Sequence, residues 1–211
     1  WYENGQKEGE GTFKDGKKDG KWTSWIKNGQ KEERTYKDGE VDGLWTEWYE
    51  NGNKRSEGTS KGVDRWGNPK KDGKWTSYRK NGQIEGERNY KDGEKDGKWT
   101  VWYMNGQKKG EENYKNGKKD GLWIKWKENG EKESEEFYRD GKKDGLHTLW
   151  YENGEKKSEG TWKDEYNKDG VWTYWHENGQ KKGEENYKYG RKDGVETYWH
   201  ENGQKKEEGN Y

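Results

Sequence analysis

The chain of 211 residues is only 22% hydrophobic and 42% charged, with 44 basic side chains balanced by 44 acidic ones. That composition excludes a two-layer aliphatic core, and the alternation of sign over a few residues leaves no polybasic patch for nucleic acid. Cysteine is absent, so there is no disulfide framework or thiolate metal site, and no apolar run is long enough to cross a bilayer as a helix.

Charge and hydropathy alone describe a disordered chain, but 16 Trp, 15 Tyr and 2 Phe change that reading. Each buried ring removes roughly 150–250 Å² from water, so the aromatics are the core material. The chain opens at Trp1 inside a repeating unit, from which a leader or further repeats ahead of it are an expectation, and cellular location stays open. The dipeptide Asn-Gly then recurs at Asn4, Asn28, Asn51, Asn81, Asn105, Asn129, Asn153, Asn178 and Asn202. Out of phase with it runs Asp-Gly, at Asp19, Asp42, Asp72, Asp96, Asp120, Asp144, Asp169 and Asp193.

Asn-Gly between β-prone runs predicts a hairpin with a type I′ turn, in which both central residues take positive φ. Stretches such as Lys14 to Gly20 then carry the chain from one hairpin into the next. Helix is a poor alternative, because a Gly interrupts every dozen residues or fewer and Trp, Tyr and Thr favour strands. The expected fold is all-β: about nine stacked antiparallel hairpins with a 24-residue period, forming an elongated, single-sheet-like, solenoid-like meander over residues 1–211. Eighteen strands about 4.8 Å apart would extend some 80–90 Å.

Three aromatic columns follow from the alignment. The first strand of each unit carries Trp22, Trp45, Trp75, Trp99, Trp123, His147, Trp172 and Glu196, and three residues later Trp1, Trp25, Trp48, Tyr78, Trp102, Trp126, Trp150, Trp175 and Trp199. The second strand carries Phe13, Tyr36, Ser60, Tyr90, Tyr114, Tyr138, Trp162, Tyr187 and Tyr211, usually after a Thr or Asn. An odd separation places the two Trp columns on opposite faces of a regular strand. Either strong twist covers both, or one ladder stands partly open for binding. Glu196 in a Trp slot suits a capping repeat.

Units such as Asp42-Gly-Leu-Trp-Thr-Glu-Trp-Tyr-Glu-Asn-Gly52 resemble the MORN-variant repeat of bacterial YwqK-type antitoxins, over essentially the whole chain. The resemblance implies stacked hairpins, protein interaction and an immunity role toward a secreted or polymorphic toxin.

The chemistry of the remaining motifs is structural. A Glu lies three residues before each second-strand aromatic, at Glu10, Glu33, Glu57, Glu87, Glu111, Glu135, Glu159, Glu184 and Glu208. It is expected to pair across strands with Lys7, Lys31, Lys108 and Lys132 or to accept an indole N–H, with a ligand-reading ladder as the alternative. His176 and His200 are aromatic substitutes in a column of Tyr2, Tyr49, Tyr103 and Tyr151, about 9–10 Å apart and too far for one zinc. Asp15 to Gly20 resembles half a calcium loop, but Lys17 and Ile26 stand where ligands would be needed. With no catalytic constellation or phosphate-cradling loop, no enzyme activity, cofactor or metal is expected.

One interval is long. Between Asn51 and Asn81 the chain inserts Ser60-Lys-Gly-Val-Asp-Arg-Trp-Gly-Asn-Pro69, about residues 60–70, and insertions in repeat proteins mark loops that often bind. The candidate binding residues are therefore Asp64, Arg65 and Trp66, together with the ladder Trp25, Trp48, Trp102, Trp126, Trp150, Trp175 and Trp199. The expected function is a non-catalytic protein-binding scaffold of antitoxin or immunity type, gripping a toxin or scaffold client. The alternative is a cell-surface carbohydrate or cell-wall binder. Balanced charge disfavours a membrane surface, and open strand edges allow end-to-end self-association.

Overall fold

A computed structural model describes residues 1–26 and 29–211; the Asn-Gly turn expected at Asn28 lies outside the described residues. The described residues form strands and turns without a helix, and every strand register is antiparallel between successive segments. The chain divides into two compact units, Trp1–Gly106 and Gln107–Tyr211.

The first unit holds β1 (Gly9–Lys14), β2 (Lys17–Trp25), β3 (Lys31–Lys37), β4 (Glu40–Trp48), β5 (Lys54–Val63), β6 (Pro69–Tyr78), β7 (Ile84–Lys91) and β8 (Glu94–Trp102). The second holds β9 (Lys108–Lys115), β10 (Lys118–Lys119), β11 (Gly121–Trp126), β12 (Lys132–Arg139), β13 (Lys142–Trp150), β14 (Lys156–Trp162), β15 (Lys168–Trp175), β16 (Lys181–Lys188), β17 (Arg191–Lys192), β18 (Val195–Trp199) and β19 (Lys205–Asn210).

The hairpins are where the repeat predicts them, but the turn types are exchanged. At Asn51-Gly52 the Gly52 N–H donates to Tyr49 O (3.0 Å) and the Tyr49 N–H to Asn53 O (2.9 Å). Only Gly52 has positive φ, at 83°, which is a type I turn closed by a glycine bulge rather than a type I′ turn. The Asn side chain sets it: Asn51 Oδ1 accepts the Asn53 N–H (3.1 Å), an Asx turn that needs Asn in the right-handed region. Its Nδ2 donates onward to Lys80 O in the next repeat (2.7 Å).

The type I′ turns lie at the other end of the strands. Asp15-Gly16, Asp38-Gly39, Asp92-Gly93, Asn116-Gly117, Asp140-Gly141 and Tyr189-Gly190 each have two positive φ values, and the flanking residues pair directly, as Lys37 does with Glu40. The second Asp-Gly of each stretch, expected to belong to the connector, instead sits inside a strand or, at Asp120 and Asp193, at a break between two strand segments. There it makes a bulge: between the pairs Tyr36↔Val41 and Arg34↔Trp45, β4 spends Asp42, Gly43 and Leu44 against Thr35 alone. This bulge explains two features of the repeat. It exposes a carbonyl that indoles of the first Trp column reach, as Trp75 Nε1 donates to Thr59 O (2.6 Å) and Trp123 Nε1 to Asn113 O (2.9 Å), whereas Trp45 Nε1 is buried without a partner among the described residues. Where Thr or Asn precedes the ring it can bond the bulged strand in return, as Asn89 Nδ2 does to Lys98 O (2.6 Å).

The core is the first Trp column with the second-strand rings on one face. In the first unit Val41, Trp45 and Trp75 form the buried cluster, flanked by Tyr36 and Tyr90. In the second, Trp123 meets Tyr138 at 5.3 Å and Trp162 meets Trp172 at 5.1 Å between ring centroids, within the range of favourable aromatic pairs. His147 fills its Trp slot 5.6 Å from Trp172. Close approach of indole to backbone requires Gly160, where an added Cβ would lie 2.2 Å from Trp172 Cδ2. A lysine four residues before each Trp of this column except Trp45, which has Val41, completes the layer: Lys119 sits 4.1 Å from the Trp123 ring and 4.4 Å from that of Tyr138. Its ammonium is held over two rings while its stem covers them.

Candidate functional site

The opposite face carries the second Trp column. Thr46 and Trp48 alternate with Trp45 along β4, and they pair with Glu33 and Lys31 of β3. In the first unit Trp25, Trp48, Tyr78 and Trp102 are half-buried there, and in the second Trp126, Trp150, Trp175 and Trp199 are. The floor beneath is threonine, with Thr46 and Thr148 buried.

Each ring of this ladder is dressed by charge. Lys54 meets Glu57 at 2.6 Å, Lys108 meets Glu111 at 2.6 Å and Lys132 meets Glu135 at 2.6 Å. These pairs run along one strand, three residues apart, and not across strands as expected; Lys21–Glu33 and Lys74–Glu87, both at 2.6 Å, do cross between strands. The Glu column accepts none of the indole N–H bonds described above, because those indoles point to the other face. Its lysines also lie over the rings, Lys31 at 4.3 Å from Trp48 and Lys132 at 5.6 Å from Trp150. Burial and the bond to Glu57 (2.6 Å) push the Tyr78 hydroxyl up to about 12.

Side chains in the column after the second Trp strap repeats to their successors. Tyr2, Tyr49 and Tyr151 donate to Trp25 O (2.7 Å), Tyr78 O (2.8 Å) and Trp175 O (2.7 Å). His176 takes the same place, with Nε2 3.0 Å from Trp199 O, so it substitutes for tyrosine as a polar strap as well as a ring. His200 is exposed.

The insertion extends the β5/β6 hairpin and ends in a turn. Asp64 is consumed in building it: Oδ1 accepts the Trp66 and Asn68 N–H groups (both 2.9 Å), and Oδ2 accepts Asn68 Nδ2 (3.0 Å). Those bonds hold its carboxyl below the usual range. The turn displays Trp66, 71% exposed, with the Arg65 guanidinium stacked 3.9 Å above its ring. Beside it a groove of about 410 Å³ is lined by Arg34, Tyr36, Val41, Gly62, Val63 and Gly67.

The structure therefore joins Asp64, Arg65 and Trp66 in one feature and keeps them apart from the ladder. Trp48 pairs with Lys54 at one end of β5, whereas Val63 pairs with Pro69 at the other, about 30 Å along the strand. Two carboxylate networks lie outside the sequence-based expectations. The contact with His147 (Nδ1 3.4 Å away), the Tyr138 hydroxyl and Lys143 (2.9 Å) hold Glu136 well below the usual carboxylate range. Burial opposes the charge of Glu185, yet bonds from Tyr198, Tyr187 (2.7 Å) and Lys192 (3.1 Å) bring it to about 2. The signal for both was the acid that replaces Gly or Arg opposite the first Trp column.

An all-β array of hairpins repeated through inter-repeat straps is a repeat scaffold. The chain belongs to the MORN repeat variant family, whose model matches residues 1–15, 41–61, 71–92, 95–116, 119–141, 143–164, 168–189 and 192–211. Most matches begin just after a type I′ turn, so the family's unit is one hairpin with its bulge. No functionally curated protein matches the chain.

Proposed function

We propose that this repeat scaffold binds a protein partner, with Trp66 and Arg65 as its anchor. The observation that carries the reading is an exposed indole stacked by a guanidinium on a turn already ordered by Asp64. Trp and Arg are the residue types that dominate binding hot spots, and pre-ordering lowers the entropy lost on association. The balanced Lys–Glu pairs around the Trp ladder supply a polar rim of the kind interfaces use. A toxin neutralised by an immunity protein is one such partner, in keeping with the antitoxin resemblance of the repeat.

The test is affinity capture from lysate of the source cells with three baits: the intact chain, Trp66→Ala, and a chain lacking Val63 to Pro69. One stoichiometric protein, captured by the first and lost from the other two, supports the reading. Capture that is indifferent to both changes moves the site away from the insertion. Retention on cell-wall polysaccharide with no protein partner overturns it in favour of carbohydrate binding through the Trp ladder.

A further inference from the structure

Within the second unit, one place on the core face combines open aromatic rings with lysines that have no acidic partner. The residue between Thr and the second Trp varies along the repeat and is tyrosine at Tyr174 and Tyr198. Both pair with Gly183, one from each neighbouring strand. An added Cβ on Gly183 would lie 2.8 Å from Tyr198 Cδ1 and 3.7 Å from Tyr174 Cδ2. The missing side chain therefore lets the Tyr198 ring lean over the Gly183 backbone, and a slot lies against the two rings. The equivalent Gly86 of the first unit sits between Ser77 and Val101, and there the Arg88 guanidinium fills the space at 2.8 Å.

The slot has a volume of about 130 Å³, and its lining includes Tyr151, Tyr174, Tyr198, Gly183, Lys157 and Lys182. Both phenol hydroxyls are committed elsewhere, Tyr174 to Lys168 Nζ (2.6 Å) and Tyr198 to Glu185, so the rings present apolar surface to the slot. The lysines arrive through the bulges near the Asn-Gly end. In β14 the register steps from Ser158 to Lys156 and leaves Lys157 over; in β16 it steps from Gly183 to Lys181 and leaves Lys182 over. Their predecessors Lys156 and Lys181 are paired with Glu159 (2.6 Å) and Glu184 (2.5 Å). Lys157 instead lies 5.6 Å from the Tyr151 ring. No acid lines the slot, although the chain carries as many acids as bases.

We propose that this slot binds an acidic segment of a protein partner, seating one flat apolar side chain against Tyr174 and Tyr198 while flanking carboxylates meet Lys157 and Lys182. The inference rests on the protein-binding reading above and adds a second contact to it. The volume suits one side chain, being well below the several hundred Å³ of small-molecule pockets. Two ammonium groups without a guanidinium suit separate carboxylates, whereas a phosphate backbone is held by longer cationic tracks and by the arginine fork.

The probe is fluorescein-labelled acetyl-Glu-Glu-Phe-Glu-Glu-amide, titrated into the full chain at low salt and read by anisotropy and by the Gly183 amide signal in NMR. Saturable binding that shifts Gly183 is expected, weakened tenfold or more in K157E/K182E and in Y174S but unchanged in K109E. Circular dichroism of each variant establishes that the fold is kept. The inference falls if the peptide leaves Gly183 unmoved, if serine in place of the central Phe binds equally, or if K157E/K182E binds as the wild type does. It also falls if a ten-residue oligothymidylate or anionic phosphatidylserine vesicles shift Gly183 at lower concentration than the peptide. A captured protein that ignores K157E/K182E removes the slot and leaves the protein-binding reading. A peptide that fills the slot while the lysate yields no protein does the reverse.

Discussion

Trp45 and Trp48 lie three residues apart on one strand and have opposite fates. Trp45 is 2% exposed, pressed between Val41, Trp75 and the Arg34 guanidinium 3.8 Å from its ring. Trp48 is half-buried, with threonine below and Lys31 above. The same residue type is core on one face and boundary on the other, and the difference comes from what stands across the strand. The core face receives rings from the neighbouring strands and a basic side chain over them, Arg34 at Trp45 and lysine elsewhere. The other receives Glu and Lys, which satisfy one another and cover an indole only along its edges.

That contrast is broken most sharply by truncation. Trp45→Ala should cost the first unit about 3–5 kcal/mol, as full removal of a buried ring does, and Trp48→Ala less than half of that. Denaturant unfolding of the two variants measures both, and equal losses would erase the distinction between faces.

Acid tests the core face next, because phenol and ammonium donors hold Glu136 and Glu185 charged there; on the ladder face Glu33 and Glu57 are lowered as well, against the opposing effect of burial, by their bonded partners. Glu185 is brought to about 2 in the folded chain, against roughly 4.3 for an unperturbed Glu. A folded value below the unfolded one means that the stabilisation is fully present above the unfolded value and is lost as pH falls toward the folded one. Stability of the second unit should therefore be level above about pH 5 and fall between about pH 4.5 and 2, by on the order of 2–3 kcal/mol from this group. Glu136 acts in the same direction. Glu185→Gln should flatten much of that decline in a urea series across pH, and an unchanged slope would remove Glu185 as its source.

The smallest effect concerns the turns. Tyr189 occupies the first place of a type I′ turn with φ 52°, where the other turns of this kind carry Asp or Asn. Tyr189→Asn should raise stability by about 0.5–1 kcal/mol, since Asn tolerates the left-handed region and a bulky side chain does not. A fall in melting temperature would show that the Lys163 contact with the Tyr189 ring, at 5.0 Å, outweighs the backbone strain.

Much of the fold was legible because it is local. A glycine-bearing turn every dozen residues, a strand-length run between turns and an aromatic at constant phase define hairpins without reference to anything distant. The turn types were not legible from the dipeptides, because Asn-Gly and Asp-Gly both accept a type I′ turn. Loop length decides, and loop length follows from which residues pair. Asn51 shows the consequence: its side chain bonds Asn53 and Lys80, a use that requires a three-residue loop and a neighbouring repeat. The site was legible in part. Asp64, Arg65 and Trp66 stood out as an interruption of the period, although Asp64 proved to be the scaffold of the turn. The slot at Gly183 had no sequence signal, since three tyrosines, a glycine and two lysines from four strand segments and a turn mean nothing until their register is known.

The sequence by itself determined that this chain is an all-β hairpin repeat with an aromatic core, since periodicity and turn chemistry act over a few residues and need no partner. Only the tertiary structure decided which Trp column is buried, where each bulge falls and which lysines are left without an acid. Those outcomes depend on the offset between neighbouring strands, and a shift of one residue in that offset moves a side chain to the other face of the sheet.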